Sequence, residues 1–346
     1  MDPADLRRRL LLVVGALTTP VIAHALDSAD SGGTPVGSTY CAPLGSGGSC
    51  PEGSTVNASK DGCALELSGP GNLNGDQCCY EVVRSDCDPP GGVGCGCAHG
   101  RPLLREAAPV LAPLGRSRWF DATLPAPDVS ALPAPLRGRL ARFWASVGAH
   151  EHSSIAAFHR ASLELLALGA PDALLAATQR AALDEARHAR HAFTLASRIA
   201  GVSIGPGPLP LGAAVELASD LPALAARVVR EVCLEETMSL FAAERMLVAA
   251  TDPAVRRVLA ALTRDERRHV ELGWRTLRWA IDAGGLPVRR ASAAAFAAAR
   301  PPVPSDPEPL PPNLAVWGAV ADEELCLAAA EGLRAVILPV AAALAA

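Results

Sequence analysis

The sequence predicts an all-α protein in which a four-helix bundle with an extra C-terminal helix follows a small disulfide-rich module. Half of the 346 residues are hydrophobic but only 4% are aromatic, a balance that favours closely packed helices over a β-sandwich. Apolar residues recur at spacings of three and four over long stretches that end at Gly or Pro. Eight of the ten cysteines lie close together near the N-terminus, which predicts a separate cross-linked module there.

Residues 1–25 predict an export signal. Three arginines, Arg7 to Arg9, precede an apolar run, and Ala23-His24-Ala25 is typical of a cleavage site with small residues. The apolar run is too short to cross a bilayer comfortably. The arginines are compatible with the general secretory route or with a twin-arginine signal. We therefore expect a periplasmic or extracellular protein.

The predicted disulfide-rich module covers residues 26–100. An even number of cysteines in a Gly/Ser/Pro-rich segment after an export signal favours disulfides, whose connectivity the sequence leaves open. The spacings contain no C-x-x-C pair, which argues against a zinc ribbon or a rubredoxin-type iron site. The cysteines are Cys41, Cys50, Cys63, Cys78, Cys79, Cys87, Cys95 and Cys97.

Gly and Pro residues divide the rest of the chain. We expect a Pro-rich connector against the bundle at 101–135, the bundle itself at 136–284, a Pro-rich linker at 285–314 and a C-terminal helix at 315–346. Four acidic or basic residues interrupt the apolar C-terminal segment, so core packing is a simpler interpretation than a stable membrane span. Within the bundle, the short connections predict antiparallel neighbours.

One motif occurs twice in the bundle. Glu151 is followed by Asp184-Glu185-Ala-Arg187-His188, and Glu236 is followed by Asp265-Glu266-Arg-Arg268-His269. A Glu and a His three positions apart project from one face of a helix. Two such pairs and two single glutamates could therefore supply six ligands to two metal ions. These are Glu151, Glu185, His188, Glu236, Glu266 and His269.

Helical register and depth place these six residues together. Each lies on the apolar stripe of its predicted helix, and this register selects Glu236 over the adjacent Glu235. Each glutamate also lies about fifteen to eighteen residues from the turn that joins its helix pair, which corresponds to about 22–27 Å along the axis. The sequence therefore predicts that all six side chains meet in one layer of the core.

Four carboxylates in an apolar core repel one another and lose hydration, unless other groups offset this cost. Two divalent cations would do so; protonated carboxylates or a salt-bridge network with Arg187 and Arg268 are the alternatives. Carboxylate and imidazole ligands suit iron or manganese better than structural zinc. Asp184 and Asp265 could accept a hydrogen bond from the ligand histidines or pair with the neighbouring arginines, and the two roles are compatible.

Other charged residues near the motif have simpler interpretations. We expect His150, His152 and His159 to lie at the surface or around the site, because their helical angles place them toward its edges. His191 follows His188 by one turn and could be an additional ligand or a proton relay. Glu231 is expected to face solvent or to form an ion pair.

The arrangement resembles the ferritin-like di-iron carboxylate proteins, in which two helices each supply a Glu and two others each supply E-x-x-H. The resemblance covers about residues 136–284 and implies two iron ions, or manganese, held by the six residues named above. The D-E-x-R-H form is similar to that of oxygen-activating oxidases and hydroxylases. The chain also resembles exported ferritin-like proteins that carry a cysteine-rich leader segment.

The leading functional hypothesis is an exported oxidoreductase that activates O2 or peroxide and draws on an external electron donor, since no C-x-x-C relay is present. Non-catalytic iron binding or sequestration on the same bundle is one alternative. A structural or interaction protein that uses the cysteine-rich module is another. The net charge of −5 and the lack of a basic stripe argue against nucleic acid as a partner. The substrate and the oligomeric state are left open.

Overall fold

The computed structural model is mostly helical and forms two compact units. One unit is Ser28–Gly92, and the other combines Met1–Asp27 with Val93–Ala346. The structure describes residues 2–14, 39–43, 50, 58–60, 63–74, 77–85, 100–105, 108–212, 215–300, 302–304 and 310–345.

The smaller unit contains a four-stranded antiparallel sheet in the order β1-β4-β3-β2. Its strands are β1 (Thr39–Pro43), β2 (Ala58–Lys60), β3 (Cys63–Asn74) and β4 (Gln77–Ser85). A disulfide joins Cys50 to Cys78. The all-α prediction therefore does not hold for this module, because the module is built from strands. Tyr80, Val82 and Val83 are strand-forming residue types whose signal is weak within a Gly/Ser/Pro-rich segment.

The predicted module at 26–100 extends beyond the smaller unit at its C-terminal end, since Val93 and the residues after it belong to the larger unit. Three predicted disulfide cysteines, Cys87, Cys95 and Cys97, lie outside the described residues.

Helices dominate the larger unit. They are α1 (Pro3–Val14), α2 (Ala134–Ala167), α3 (Asp172–Ala200), α4 (Leu221–Val228), α5 (Thr237–Ala249), α6 (Pro253–Ala297), α7 (Asp322–Gly332) and α8 (Leu338–Ala345). Two π-helical segments, Val229–Glu236 and Leu333–Ile337, continue α4 into α5 and α7 into α8. Pro312–Trp317 forms a 3-10 helix. Two two-stranded pairings of minimal length complete the described part of this unit. In one, β5 (Leu104–Arg105) pairs with β6 (Ala108–Pro109), and in the other, β7 (Leu114–Gly115) pairs with β8 (Gly205–Pro206).

The main helices begin and end where local chemistry predicts. The Asp220 carboxylate accepts a hydrogen bond from the amide of Ala223 at the start of α4, and Asp252 caps α6 in the same way. Such caps satisfy amides that have no partner within the helix. Gly201 ends α3 in the left-handed conformation. These signals fix the lengths of the helices and therefore the depth of the residues they carry.

The predicted linker at 285–314 is helical as far as Ala297. Gly285, at φ 61° and ψ −140°, kinks α6, and the helix then continues past Pro287. Gly-Gly followed by Pro is a strong local stop signal, but packing reverses its effect. Val288 is fully buried, and the Phe296 ring stacks on Trp274 with centroids 5.7 Å apart.

The C-terminal segment Asp322–Leu344 is long and apolar enough to cross a membrane, with a mean hydropathy of 1.7. Half of it is buried against the rest of the chain. Leu325, Val336 and Val340 are among its buried residues and belong to the same apolar core as the central helices. The C-terminal helix predicted at 315–346 thus begins with a 3-10 turn and continues as α7, a π segment and α8.

Helix α1 lies within the predicted export signal and packs on the larger unit. Leu6, Leu10 and Val14 are buried in the common core, and Arg278 donates a hydrogen bond to the Val14 carbonyl at 3.2 Å. The proposed cleavage site at Ala23-His24-Ala25 lies outside the described residues.

Candidate metal centre

Four helical segments bring the six predicted ligands to one buried layer. Glu151 lies on α2, Glu185 and His188 on α3, Glu236 at the end of the first π segment, and Glu266 and His269 on α6. Each is at most 2% exposed. Glu235 lies beside Glu236 but outside the ligand groups that the described residues form.

The first group that could hold a metal ion consists of Glu151, Glu185, His188 and Glu266. One potential ligand atom from each residue lies within 4.8 Å of the others. The Nδ1 atom of His188 is 3.2 Å from Glu266 Oε1 and 3.7 Å from Glu151 Oε2.

The second group consists of Glu185, Glu236, Glu266 and His269. The Nδ1 atom of His269 lies 3.0 Å from Glu185 Oε1 and 3.5 Å from Glu236 Oε1. The two imidazole rings are 6.1 Å apart between centroids. Glu185 and Glu266 belong to both groups, so the two candidate positions are adjacent and share these carboxylates.

The inward-facing ligand atoms have no hydrogen-bond partner. This holds for both carboxylate oxygens of Glu151, Glu185, Glu236 and Glu266, and for Nδ1 of both histidines. Buried polar groups without partners are rare because each costs free energy. Ten such atoms converging on one point require compensation, either by bound cations or by protons held on the carboxylates and imidazoles.

The outward-facing nitrogens of the two histidines are held by aspartates from the opposite helix. His188 Nε2 lies 3.3 Å from Asp265 Oδ2 on α6, and His269 Nε2 lies 3.3 Å from Asp184 Oδ2 on α3. A proton on Nε2 that is donated to the aspartate leaves the Nδ1 lone pair directed into the site. The tautomer is assigned from these contacts.

Two arginines connect these aspartates. Arg187 contacts Asp184 at 2.6 Å and Asp265 at 2.5 Å, and Arg268 contacts each aspartate at 2.9 Å. The aspartates therefore accept hydrogen bonds from histidine and from arginine together. Burial alone would raise the pKa of Asp184, but the hydrogen bonds from His269, Arg187 and Arg268 outweigh it and lower the pKa to about 2.

The core carboxylates have strongly perturbed proton affinities. Burial, together with the charges of Glu185 and Glu266, raises the pKa of Glu151 well above its usual value. Burial raises the pKa of Glu236 to about 7. Burial would lower the pKa of His188, but Asp265 and the surrounding carboxylates reverse this and raise it. The protein side chains alone thus retain protons that a cation would displace.

The connector at 101–135 begins directly over the site, and the sequence did not predict this cover. A Cβ atom at Gly100, whose φ is +60°, would lie 3.0 Å from Glu151 Oε2. The amide of Leu103 donates a hydrogen bond to Ser153 Oγ at 3.0 Å, and the Leu103 side chain is fully buried. Backbone therefore passes close to the carboxylate on this side.

The π segment places a further carboxylate inside the helical core. Its wider turn brings residues five positions apart toward one face, so Glu231 and Glu236 are both buried. Glu231 Oε2 accepts hydrogen bonds from Arg101, at 3.3 Å, and from Arg160. Of the two expectations for Glu231, ion pairing is confirmed and solvent exposure is wrong. Arg101 and Arg160 had no sequence signal that linked them to Glu231.

A pocket adjoins the second metal group. It reaches His269 and is lined mainly by apolar residues of α2, α4, the π segment and α6, together with two threonines, two arginines and the Glu164 carboxylate. The Arg101 guanidinium lies 4.9 Å from the centre of the Phe158 ring, and that ring contacts the His269 imidazole edge to face at 5.1 Å. Small molecules could therefore approach the site from this side.

The remaining predicted histidines lie outside the ligand groups formed by described residues. His150 and His159 contact carbonyls one turn earlier on α2. His152 packs against the Trp119 ring. His191 Nε2 lies 3.4 Å from Asp121 Oδ2, which directs it toward the connector.

Compared with protein-family models, with curated proteins and with solved structures, the chain matches none of them. The function is therefore inferred from the geometry of the site itself.

Proposed function

We propose that this chain is an exported ferritin-like di-iron carboxylate protein, with manganese as the alternative metal, and that it reduces O2 or peroxide while it oxidises an organic substrate. One observation carries the proposal. The unpartnered oxygens of four glutamates and Nδ1 of two histidines converge in two adjacent groups, while each Nε2 contacts an aspartate.

The donor set fits this metal pair. Glu151 and His188 would bind one ion, Glu236 and His269 the other, and Glu185 with Glu266 would contribute to both. Oxygen and imidazole ligands suit iron or manganese, whereas structural zinc favours thiolates. Metal ions of this kind supply Lewis acidity and accept or donate electrons.

The protein side chains have distinct roles in this proposal. Asp184 and Asp265 orient the histidines and accept hydrogen bonds from Nε2. Arg187 and Arg268 hold both aspartates in their ionised form. The backbone at Gly100 covers Glu151, while the pocket beside His269 gives a route for small molecules. Electrons that the substrate does not supply would come from an external donor.

Iron sequestration without turnover is the second candidate function, because the same ligands would serve it. The pocket beside His269 favours catalysis, since storage of metal does not require an apolar cavity next to the ions. Export is supported by the arginine and apolar run at the N-terminus and by the disulfide between Cys50 and Cys78.

Metal analysis of the purified protein tests the proposal. We expect about two iron or manganese ions per chain and consumption of peroxide or O2 when a chemical reductant is supplied. The E185A/H269A double variant should lose the metal and the turnover. A metal-free folded protein, whose melting does not change on chelation, would refute the metal site. Stoichiometric iron with no turnover by any reductant would leave sequestration as the function.

A further inference from the structure

The outer side of the metal layer, where α3 and α6 pack together, is rich in exposed arginines. Helix α6 contains nine arginines and four acidic residues, although the whole chain has a net charge of −5. Three arginines lie directly outside the aspartates that contact the ligand histidines, and their side chains are 40%, 54% and 64% exposed. These are Arg187, Arg268 and Arg264. Positive charge is therefore concentrated on one side of an acidic protein.

Three further arginines extend this surface. Arg180 lies two helical turns before Arg187 on α3, and Arg257 and Arg275 are each seven residues from one of the other two arginines on α6. A spacing of seven residues brings side chains back to the same side of a helix. All three are exposed, and none forms an ion pair with another described residue. We call the six residues the arginine face: Arg180, Arg187, Arg257, Arg264, Arg268 and Arg275.

The carboxylates around the arginine face do not cancel its charge. Asp184 and Asp265 are 14% and 0% exposed, and each is in contact with more than one arginine. Asp121 is 24% exposed and lies 3.4 Å from His191. The ligand glutamates lie beneath the face, where protons or cations compensate them. Other neighbouring carboxylates pair with arginines outside the face: Glu271 with Arg9, Asp282 with Arg278, and Glu244 with Arg267. The arginines of the face therefore outnumber the remaining carboxylates.

An exposed leucine lies among these arginines. Leu183 is 69% exposed and is one turn away from both Arg180 and Arg187 on α3. Protein interfaces commonly combine an apolar contact with a charged rim in which arginine is enriched. One leucine and a few arginines suit the small, weak interfaces of electron-transfer complexes. The surface therefore matches a folded partner that has an acidic face.

Hydrogen bonds connect the arginine face to the ligand histidines. Arg268 Nη2 lies 2.9 Å from Asp184 Oδ2, which lies 3.3 Å from His269 Nε2. In the other half, Arg187 contacts the second aspartate at 2.5 Å, and that aspartate contacts His188 at 3.3 Å. An exposed guanidinium is thus two hydrogen bonds away from each ligand imidazole. A partner seated on these arginines would lie directly outside the metal layer.

From these observations we infer that the arginine face is the docking surface of a redox protein with an acidic face, which supplies the electrons that the centre takes from outside. Each productive encounter would oxidise the partner by one electron and deliver that electron to the centre. Complementary charge speeds such encounters and orients the two proteins. The docking surface follows from the distribution of arginines alone, and only the electron transfer rests on the proposed function.

Flavodoxin selected for an acidic surface around its FMN is a suitable probe. Its association with the full chain is measured on a biosensor, with metal-free and metal-loaded protein, beside a cytochrome c selected for a basic surface. We expect flavodoxin to bind both forms, and its association rate to fall at least about tenfold between about 10 mM and about 150 mM salt. Cytochrome c should not bind. Reduced flavodoxin should lose one electron to the metal-loaded protein, as followed by flavin absorbance.

Charge variants locate the docking surface. R180Q/R257Q/R275Q removes three charges and leaves the contacts of both aspartates intact, so metal content should not change. The same variant should slow the association of flavodoxin at least about tenfold at low salt. The charge-reversed R180E/R257E/R275E variant should bind cytochrome c in place of flavodoxin, because the complementarity is then inverted.

R290Q/R300Q/R334Q is the matched control, since it removes three exposed arginines that lie outside the arginine face. It changes the net charge by the same amount and should slow the association of flavodoxin less than about twofold. Equal rates for this variant and R180Q/R257Q/R275Q would overturn the inference, because attraction would then depend only on net charge.

Three other outcomes are decisive. Flavodoxin that fails to bind at low salt would overturn the inference, and so would binding of phosphatidylglycerol vesicles in its place, which would assign the arginine face to a membrane. Flavodoxin bound to a protein that never holds metal would refute the proposed function and leave the docking surface standing. Turnover with a chemical reductant but without flavodoxin binding would refute the docking surface and leave the proposed function standing.

Discussion

Asp184 Oδ2 lies 3.3 Å from His269 Nε2, although these residues are on different helices and 85 positions apart in sequence. The relation is reciprocal, because Asp265 contacts His188 in the same way. Each D-E-x-R-H motif therefore supplies a Glu and a His to the candidate ligand group of its own half, and an aspartate that contacts the histidine of the other half. The two copies of the motif depend on each other.

Because each aspartate contacts the histidine of the other motif, an aspartate variant should weaken metal binding mainly at the position of that histidine. D184N should weaken metal binding by about 10–100-fold, and mainly at the position of His269, although His188 is closer in sequence. Titration with ferrous iron or manganese, with the two binding steps resolved, measures this. D282N is a suitable control, since Asp282 pairs with Arg278 at the surface. Equal weakening of both steps would contradict the assignment.

Variants of the two shared carboxylates should lose more metal than variants of the two unshared ones. E185A or E266A should remove both ions, because each residue belongs to both ligand groups. E151A or E236A should leave about one ion per chain, because each belongs to one group. Elemental analysis distinguishes the two classes. The shared role would be wrong if E151A lost as much metal as E185A.

The metal-free protein should lose stability as the pH rises. The pKa of Glu236 is about 7 in the folded protein and 4.5 in a reference carboxyl, so the folded state binds more protons between these values. Its contribution is complete below about pH 4.5 and is lost as the pH rises through about 7. The raised pKa values of Glu151, His188 and His269 act in the same direction.

Thermal unfolding between about pH 5 and pH 8 tests this, with an expected loss on the order of 2 kcal/mol. The metal-loaded protein should lack the decline, because cations hold the carboxylates ionised in the folded state. E236Q should show a smaller decline than the unaltered metal-free protein. A metal-free protein that becomes more stable over this range would contradict the predicted proton affinities.

Removal of the buried Glu231 carboxylate should be costly. E231A leaves Arg101 and Arg160 without their shared partner, and an uncompensated buried charge typically costs about 3–5 kcal/mol. Urea denaturation measures the change. Glu271 provides the control, because its side chain is 33% exposed and its contact with Arg9 is 3.7 Å; E271A should cost less than about 0.5 kcal/mol. Similar losses in both variants would show that burial of Glu231 contributes little.

Sequence periodicity predicts most of what lies in the metal layer. The helical stripe and equal distances from the turns are local properties, and they place the six ligands together and favour Glu236 over Glu235. The adjoining ion cluster was not predictable in this way. Arg101 and Glu231 are 130 positions apart, and a 3.6-residue period does not describe the π segment that turns Glu231 inward.

The missed helical extension after Gly285 has a similar cause. The local sequence Gly-Gly-Leu-Pro contains every signal for a helix end, but Val288 and Phe296 bury apolar surface only if the chain continues as a helix. Tertiary packing outweighed local preference there. In the cysteine-rich module the strands were missed because their pairing is non-local and their composition resembles that of loops.

The pocket reaches His269, whereas the backbone at Gly100 lies over Glu151 in the other ligand group. A duplicated motif has therefore produced two environments of unequal access and polarity. Iron-57 bound at the two positions should give two distinct quadrupole doublets in Mössbauer spectra, and azide should perturb the doublet from the His269 side first. The two ions would then have different roles, although the same sequence motif provides ligands to both.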